Sequence, residues 1–141
     1  MINKIEKLTS IGKYRNYTAS GQVNFKNLTL IYGDNGGGKT TLTSVLRSLT
    51  SDNPSIIRSR ISTAHSHPQA AQITQLGTPN IYHTFGASGW TRPFPNIEIF
   101  DIHFVNENID SASALHQLNP KQTPRSLILR YLSHQHTAFY L

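Results

Sequence analysis

Nine consecutive residues, Gly33-Asp34-Asn35-Gly36-Gly37-Gly38-Lys39-Thr40-Thr41, carry the clearest chemistry in the chain. They fit G-x-x-x-x-G-K-[ST], the pattern of a loop whose backbone wraps a polyphosphate. Glycines keep Cβ atoms out of the path of the phosphates. The N–H groups of Gly36 to Thr41 would converge on the α- and β-phosphates at the start of a helix, where the helix end adds partial positive charge. Lys39 would reach the β- and γ-phosphates as a mobile point charge. The Thr40 hydroxyl is the expected position for a Mg²⁺ carried in with the nucleotide, and Thr41 could donate to the α-phosphate. The ligands implied are a nucleoside triphosphate, ATP, and Mg²⁺. The competing reading is a glycine-rich turn that happens to precede a helix.

Such a loop needs a strand before it and a helix after it. Leu28-Thr29-Leu30-Ile31-Tyr32 is apolar and β-favouring, which predicts a buried strand. Leu42, Val45, Leu46 and Leu49 fall at i, i+3, i+4 and i+7, one apolar face of a helix starting near Lys39. Ser51-Asp52-Asn53-Pro54 should end it.

Composition bounds the rest. The 141 residues are one domain by length, with a modest apolar content of 37% and a mean hydropathy of −0.36. Net charge is +6, and the excess lies in the first seventy residues, where nine Lys/Arg face three Asp/Glu. That balance suits nucleic acid, or the triphosphate of a nucleotide-binding lobe, since the charges are scattered. There is no cysteine, so neither a disulfide framework nor a Cys-ligated metal is available. Met1-Ile2-Asn3-Lys4-Ile5-Glu6-Lys7 has charges where a signal peptide needs an apolar core, and no apolar run approaches membrane-spanning length. The expectation is a soluble cytoplasmic chain without a membrane partner.

Taken in order, residues 2–8 read as a short strand at a sheet edge or in an exposed ribbon. Ser10 to Gly21 is a turn-rich connection, and Val23 to Tyr32 returns as strand. Ile56 to Ile61 is a short apolar and basic segment. Residues 62–80 read as a surface loop or inserted hairpin, with His65-Ser66-His67 as solvated loop histidines in preference to metal ligands. Ile81 to Phe85 is a strand ended by Gly86-Ala87-Ser88-Gly89, and Trp90 suits core packing better than base stacking. Ile97-Glu98-Ile99-Phe100-Asp101 is strand-like, and Asp101 could hold Mg²⁺ through water or simply end the strand. Beyond Asp110 the composition turns to Ser, His, Gln and Thr. Thr123-Pro124 there suits the start of a short helix.

Ile2 to Leu8, Lys13-Tyr14-Arg15-Asn16-Tyr17, Phe25-Lys26-Asn27-Leu28 and Ile31 to Thr41 together resemble the start of an SMC/RecF-like ABC ATPase. More narrowly, the stretch is similar to the bacterial P-loop family that includes the RloC and PrrC anticodon nucleases. Asn35 before Gly36 carries much of the likeness, with Phe100 to Ile109 adding to it. The resemblance covers residues 1–110 and not the divergent tail 111–141. It implies ATP held by this loop and closed over by the signature motif of a second nucleotide-binding half or a homo-oligomer partner. It also implies an upstream aromatic, Tyr14 or Tyr17, that could stack on adenine. Asn106, Glu107 and Asn108 lie near the family's γ-phosphate-sensing loop, but no glutamine stands there and no role is carried over. Nucleic acid enters only through the parent family.

No signature motif, Walker B pair or switch histidine is recognisable in the chain, so binding is expected without hydrolysis. The fold expected is α/β: a P-loop NTPase, as a partial ABC-type first lobe with a small antiparallel β subdomain. The function expected is ATP binding by the N-terminal fragment of an SMC-like ATPase. Two alternatives stand beside it: a small nucleotide-dependent phosphotransferase using Asp101, and a non-catalytic interaction module.

Overall fold

The structure, a computed structural model, describes residues 1–27, 29–61, 67–100 and 137–140, with Phe100 and the last four described by backbone alone. Strands β1 (Ile2–Ile11), β2 (Tyr14–Thr18), β3 (Ala70–Gln75), β4 (Ile81–Gly86) and β5 (Gly89–Trp90) form an antiparallel sheet in the order β2-β1-β3-β4-β5. Helices α1 (Lys39–Ser51) and α2 (Ser55–Arg58) lie between β2 and β3 in the chain. A separate parallel pair joins β6 (Ile97–Phe100) to β7 (Thr137–Tyr140). Among the described residues no helix is long and apolar enough to cross a membrane.

The first strand shows how an awkward pattern is made to fold. Its apolar residues, Ile2, Ile5, Leu8 and Ile11, recur every three positions, whereas side chains on a strand change face at every step. Two register shifts resolve the conflict: Ile2, Ile5 and Leu8 pair with Gln75, Ile73 and Ala71, three residues advanced against two each time. An extra residue per step is a β-bulge, and it returns each apolar side chain to the same face. Ser10 then takes a left-handed φ of 54°, and Ile11 is buried like the other three. The result is a ten-residue strand with a neighbour on both sides, not the short edge strand that residues 2–8 suggest.

Against this face packs α1, with Leu42, Val45, Leu46 and Leu49 all buried as their spacing predicts. Each such side chain contributes about 1.5–3 kcal/mol on burial. The helix ends at Asp52, which takes a left-handed φ of 49° and donates its N–H to the Ser48 carbonyl. Ser48 in turn accepts a hydrogen bond from the Trp90 indole N–H at 3.0 Å, and Phe94 N–H donates to the Leu49 carbonyl at 3.1 Å. Trp90 is therefore a core residue that ties the sheet to the last turn of α1.

Two expectations are corrected, and a third is met only in part. Of the two readings of residues 62–80, surface loop or inserted hairpin, the surface loop is overturned: Ala70–Gln75 is the middle strand of the sheet and forms a hairpin with Ile81–Gly86. Its own apolar content is too small to announce it, and its two neighbours supply the pairing. Val23 to Tyr32 forms no strand among the described residues; Leu30 and Tyr32 are 86% and 88% exposed, while Phe25 and Ile31 are partly buried against the core. A strand is completed by a ladder of a neighbour's N–H and C=O groups; Phe25 N–H donates to the Asn3 carbonyl of β1, but no described strand forms a ladder with this segment. The described residues form a mostly antiparallel sheet with few helices, and they do not by themselves show the expected α/β architecture around a buried strand. The Thr123-Pro124 helix, and the tail 111–141 apart from β7, lie outside the described residues.

The β1–β2 turn is pressed onto the start of α1. Gly12, at φ 52°, has so little room that a Cβ there would stand 2.6 Å from Thr41 Oγ1. Its N–H donates to the Arg60 carbonyl at 2.7 Å, which also ties the turn to the segment after α2. Gly12→Ala therefore meets both a left-handed backbone, costing about 1–3 kcal/mol, and a steric clash. Urea unfolding should show a marked loss for Gly12→Ala that shrinks by roughly 0.5–3 kcal/mol in a Thr41→Ala background, the coupling of two touching residues. Additive losses would mean that the turn and the helix do not touch.

His83 on β4 is buried, with Nδ1 3.2 Å from the Arg92 carbonyl and Nε2 3.1 Å from Gln75 Oε1, and its ring lies 5.4 Å from that of Phe94. Burial lowers its pKa, outweighing the Arg92 carbonyl bond, which raises it. A neutral ring donates from one nitrogen only, so it requires the Gln75 amide to turn its NH₂ toward Nε2. The unfolded ring, with its ordinary pKa near 6.5, takes up a proton first as pH falls, so acid favours the unfolded chain. Stability should be complete above that value and decline below it by up to about 1.4 kcal/mol per pH unit. Thermal midpoints measured from about pH 7.5 to about pH 5 should fall more steeply in wild type than in His83→Gln; equal slopes would refute the assignment.

Candidate phosphate-binding loop

The sequence requires α1 to begin abruptly after a glycine run, and the backbone shows how it does. Gly37 N–H donates to the Asp34 carbonyl at 2.9 Å, closing a turn at the tip of the loop. Gly38 then takes φ 101°, a left-handed conformation at which side chains are strained, and caps α1. Its carbonyl accepts the first helical bond, from Leu42 N–H at 2.9 Å. A Cβ at Gly38 would also crowd the Tyr14 ring, at 3.2 Å. Thr43 and Ser44 return their hydroxyls to the carbonyls of Lys39 and Thr40, at 3.1 and 2.9 Å.

The side chains that the motif singles out are brought together. Asn35, Gly36, Gly38, Lys39, Thr40 and Thr41 line one cleft of about 250 Å³, joined by Lys13 from the β1–β2 turn. The Lys39 ammonium folds back on its own loop and donates to the Gly33 carbonyl and, at 3.1 Å, to the Asp34 carbonyl. Thr40 is exposed at the helix start, and its hydroxyl makes no hydrogen bond among the described residues. Thr41 lines the cleft but is itself buried beneath Gly12. Asp34 is exposed at the rim. A second cleft, of about 260 Å³, runs from Thr40 along Thr43 and Ser44 to Arg47 and Arg60.

Of the two aromatic residues considered for adenine, Tyr14 is half-buried over Gly38, and its ring meets Tyr17 edge to face at 6.1 Å. Burial, and then the neighbouring Tyr17, push the Tyr14 hydroxyl above its ordinary pKa. Tyr17, on the far side of that ring contact, is 37% exposed. Gly12 and Tyr14 are thus neighbours of the loop from 24 or more residues away; the family likeness pointed to Tyr14, but nothing in the sequence marked Gly12. Asp101, Asn106, Glu107 and Asn108 lie outside the described residues, as do His65 and Ser66. No group of three or more His, Asp or Glu side chains able to hold a metal occurs among the described residues.

The donors present suit an anion: backbone N–H groups at the start of a helix, a lysine and two threonine hydroxyls around one cleft. No curated protein and no solved structure matches the chain. Residues 10–120 match a family model described as an AAA domain, a span that takes in the whole loop, the helix that it opens and most of the sheet. The chain belongs to that AAA-domain family of P-loop ATPase-like proteins.

Proposed function

We propose that residues Gly33 to Thr41 bind the triphosphate of ATP, with Mg²⁺ at the Thr40 hydroxyl, in one lobe of an SMC/RecF-like composite ATPase. The observation that carries this reading is the junction of loop and helix. Gly38 turns directly into α1 while the Lys39 ammonium lies across the loop on two backbone carbonyls. A cation in that place can exchange carbonyl oxygens for phosphate oxygens by small side-chain rotations. The N–H groups at the start of α1 would meet the phosphates as the loop closes round them. When bound, Mg²⁺ supplies charge neutralisation across the β- and γ-phosphates. The exposed Thr40 hydroxyl, with no competing partner among the described residues, is free to ligate it.

Binding and chemistry separate here. Phosphoryl transfer needs several groups aimed at the developing charge, and each is worth about 2.7–4 kcal/mol. A phosphate loop supplies some of them, and residues 1–110 are read as a lobe whose γ-phosphate contacts are completed by a second nucleotide-binding half. The AAA-domain match and the donor set of the cleft support nucleotide binding; the likeness at Asn35 supports the composite site.

The test is titration of the full chain with a fluorescent ATP analogue. Lys39→Ala should weaken binding roughly ten- to a hundredfold, the cost of about 1.5–3 kcal/mol for losing a charge-assisted contact. Phosphate release by the chain alone should remain at background. Equal affinity in the two proteins would remove the phosphate-loop assignment, and sustained turnover abolished by Lys39→Ala would remove the need for a second half.

A further inference from the structure

The cleft has a second cation, which lies outside the G-x-x-x-x-G-K-[ST] pattern. We infer that Lys13, in the turn between β1 and β2, is a phosphate-binding residue of the same site, an inference that rests on the nucleotide reading above. Lys13 reaches the cleft because both of its neighbours are anchored on the loop–helix junction. Gly12 lies against Thr41 so closely that no Cβ fits between them, and its N–H is held by the Arg60 carbonyl. Tyr14 covers Gly38, where an added Cβ would touch its ring at 3.2 Å. Between two fixed residues the Lys13 backbone has little freedom, and its exposed side chain lines the cleft with Asn35, Gly36 and Lys39.

The two lysines address opposite ends of the loop. Lys39 places its ammonium at Gly33 and Asp34, where the loop begins. Lys13 lines the cleft from between Gly12, which meets Thr41, and Tyr14, which meets Gly38, where the loop becomes helix. In a loop of this pattern the backbone at the helix start cradles the α- and β-phosphates, whereas the motif lysine reaches the β- and γ-phosphates. Lys13 therefore serves the part of the ligand that nucleoside di- and triphosphates share. It forms no ion pair or hydrogen bond among the described residues, so nothing has to be broken for it to bind phosphate. A lysine suits the task, being a compact point charge on a flexible stem with three donors.

The experiment uses the full chain, with ATP and ADP titrated against wild type, Lys13→Ala and Lys39→Ala at low and at raised salt. Lys13→Ala should weaken ATP and ADP alike, by roughly tenfold at low salt, and the loss should shrink as salt screens the contact. Its thermal midpoint without nucleotide should equal that of wild type, since the side chain holds nothing in the fold. Wild-type affinity in Lys13→Ala, while Lys39→Ala weakens binding, would overturn the role of Lys13 and leave the nucleotide site standing. A loss that ignores salt, or that accompanies a lowered midpoint, would also overturn it, by making Lys13 structural. If wild type binds neither nucleotide, the site itself falls and Lys13 with it.

Discussion

The contact between Gly12 and Thr41 is the constraint on which the phosphate loop depends. A backbone with no side chain rests on the first turn of α1, closer than any other residue type would allow. This fixes the sheet relative to the helix start at the point where the loop turns into helix. Move the turn outward by the width of one methyl group and Tyr14 leaves Gly38, while the cleft loses one wall. The contact is possible because β1 delivers Ile11 to the buried face, through two bulges and a left-handed Ser10, just before the turn. Packing at atomic distance in a protein interior has little slack, so a local departure from regular strand geometry is transmitted directly to the site.

A second set of contacts secures the other end of α1. There the helix carbonyls that lack an intrahelical partner are met by Asp52, Asn53 and Phe94 N–H groups, and the Trp90 indole reaches the Ser48 hydroxyl. These bonds matter less for their net strength than for the cost of leaving such groups buried and unpaired, about 1–3 kcal/mol each. The helix is thereby held at both ends by the same sheet: Gly12 at its start and Trp90 at its finish. A phosphate loop needs such a rigid helix, because its donors are backbone groups that cannot adjust by rotating a side chain.

The position of the Lys39 ammonium bears on how strongly such a site can bind. A lysine already satisfied by two carbonyls gains only the difference between those bonds and new ones to phosphate. The arrangement keeps the cation at the loop without leaving it unpaired, and it moderates affinity relative to a bare charge. Lys13 differs in starting from solvent. Two lysines of unlike origin thus face one cleft, one from the motif and one brought there by the fold.

The sequence by itself determined what depends on neighbours in the chain. Gly33 to Thr41 spells out the loop, and the spacing of Leu42, Val45, Leu46 and Leu49 specifies a helix and its buried face, because 3.6-residue periodicity is local. Ile81 to Phe85 was legible from local signals of another kind, β-favouring residues ended by a glycine turn. Tertiary structure decided the rest, since a strand exists only through the strand beside it. Ala70–Gln75, weak in apolar residues, became the centre of the sheet because β1 and β4 pair with it. Leu30 and Tyr32, rich in β-favouring character, stayed exposed because no described strand does. The approach of Gly12 and Lys13 to residues 38–41 was equally beyond sequence, for it follows from how bulges aim β1 across the helix; Tyr14 was suggested near the nucleotide only through the family likeness. Periodicity encodes which face of an element is buried; only packing settles what that face meets.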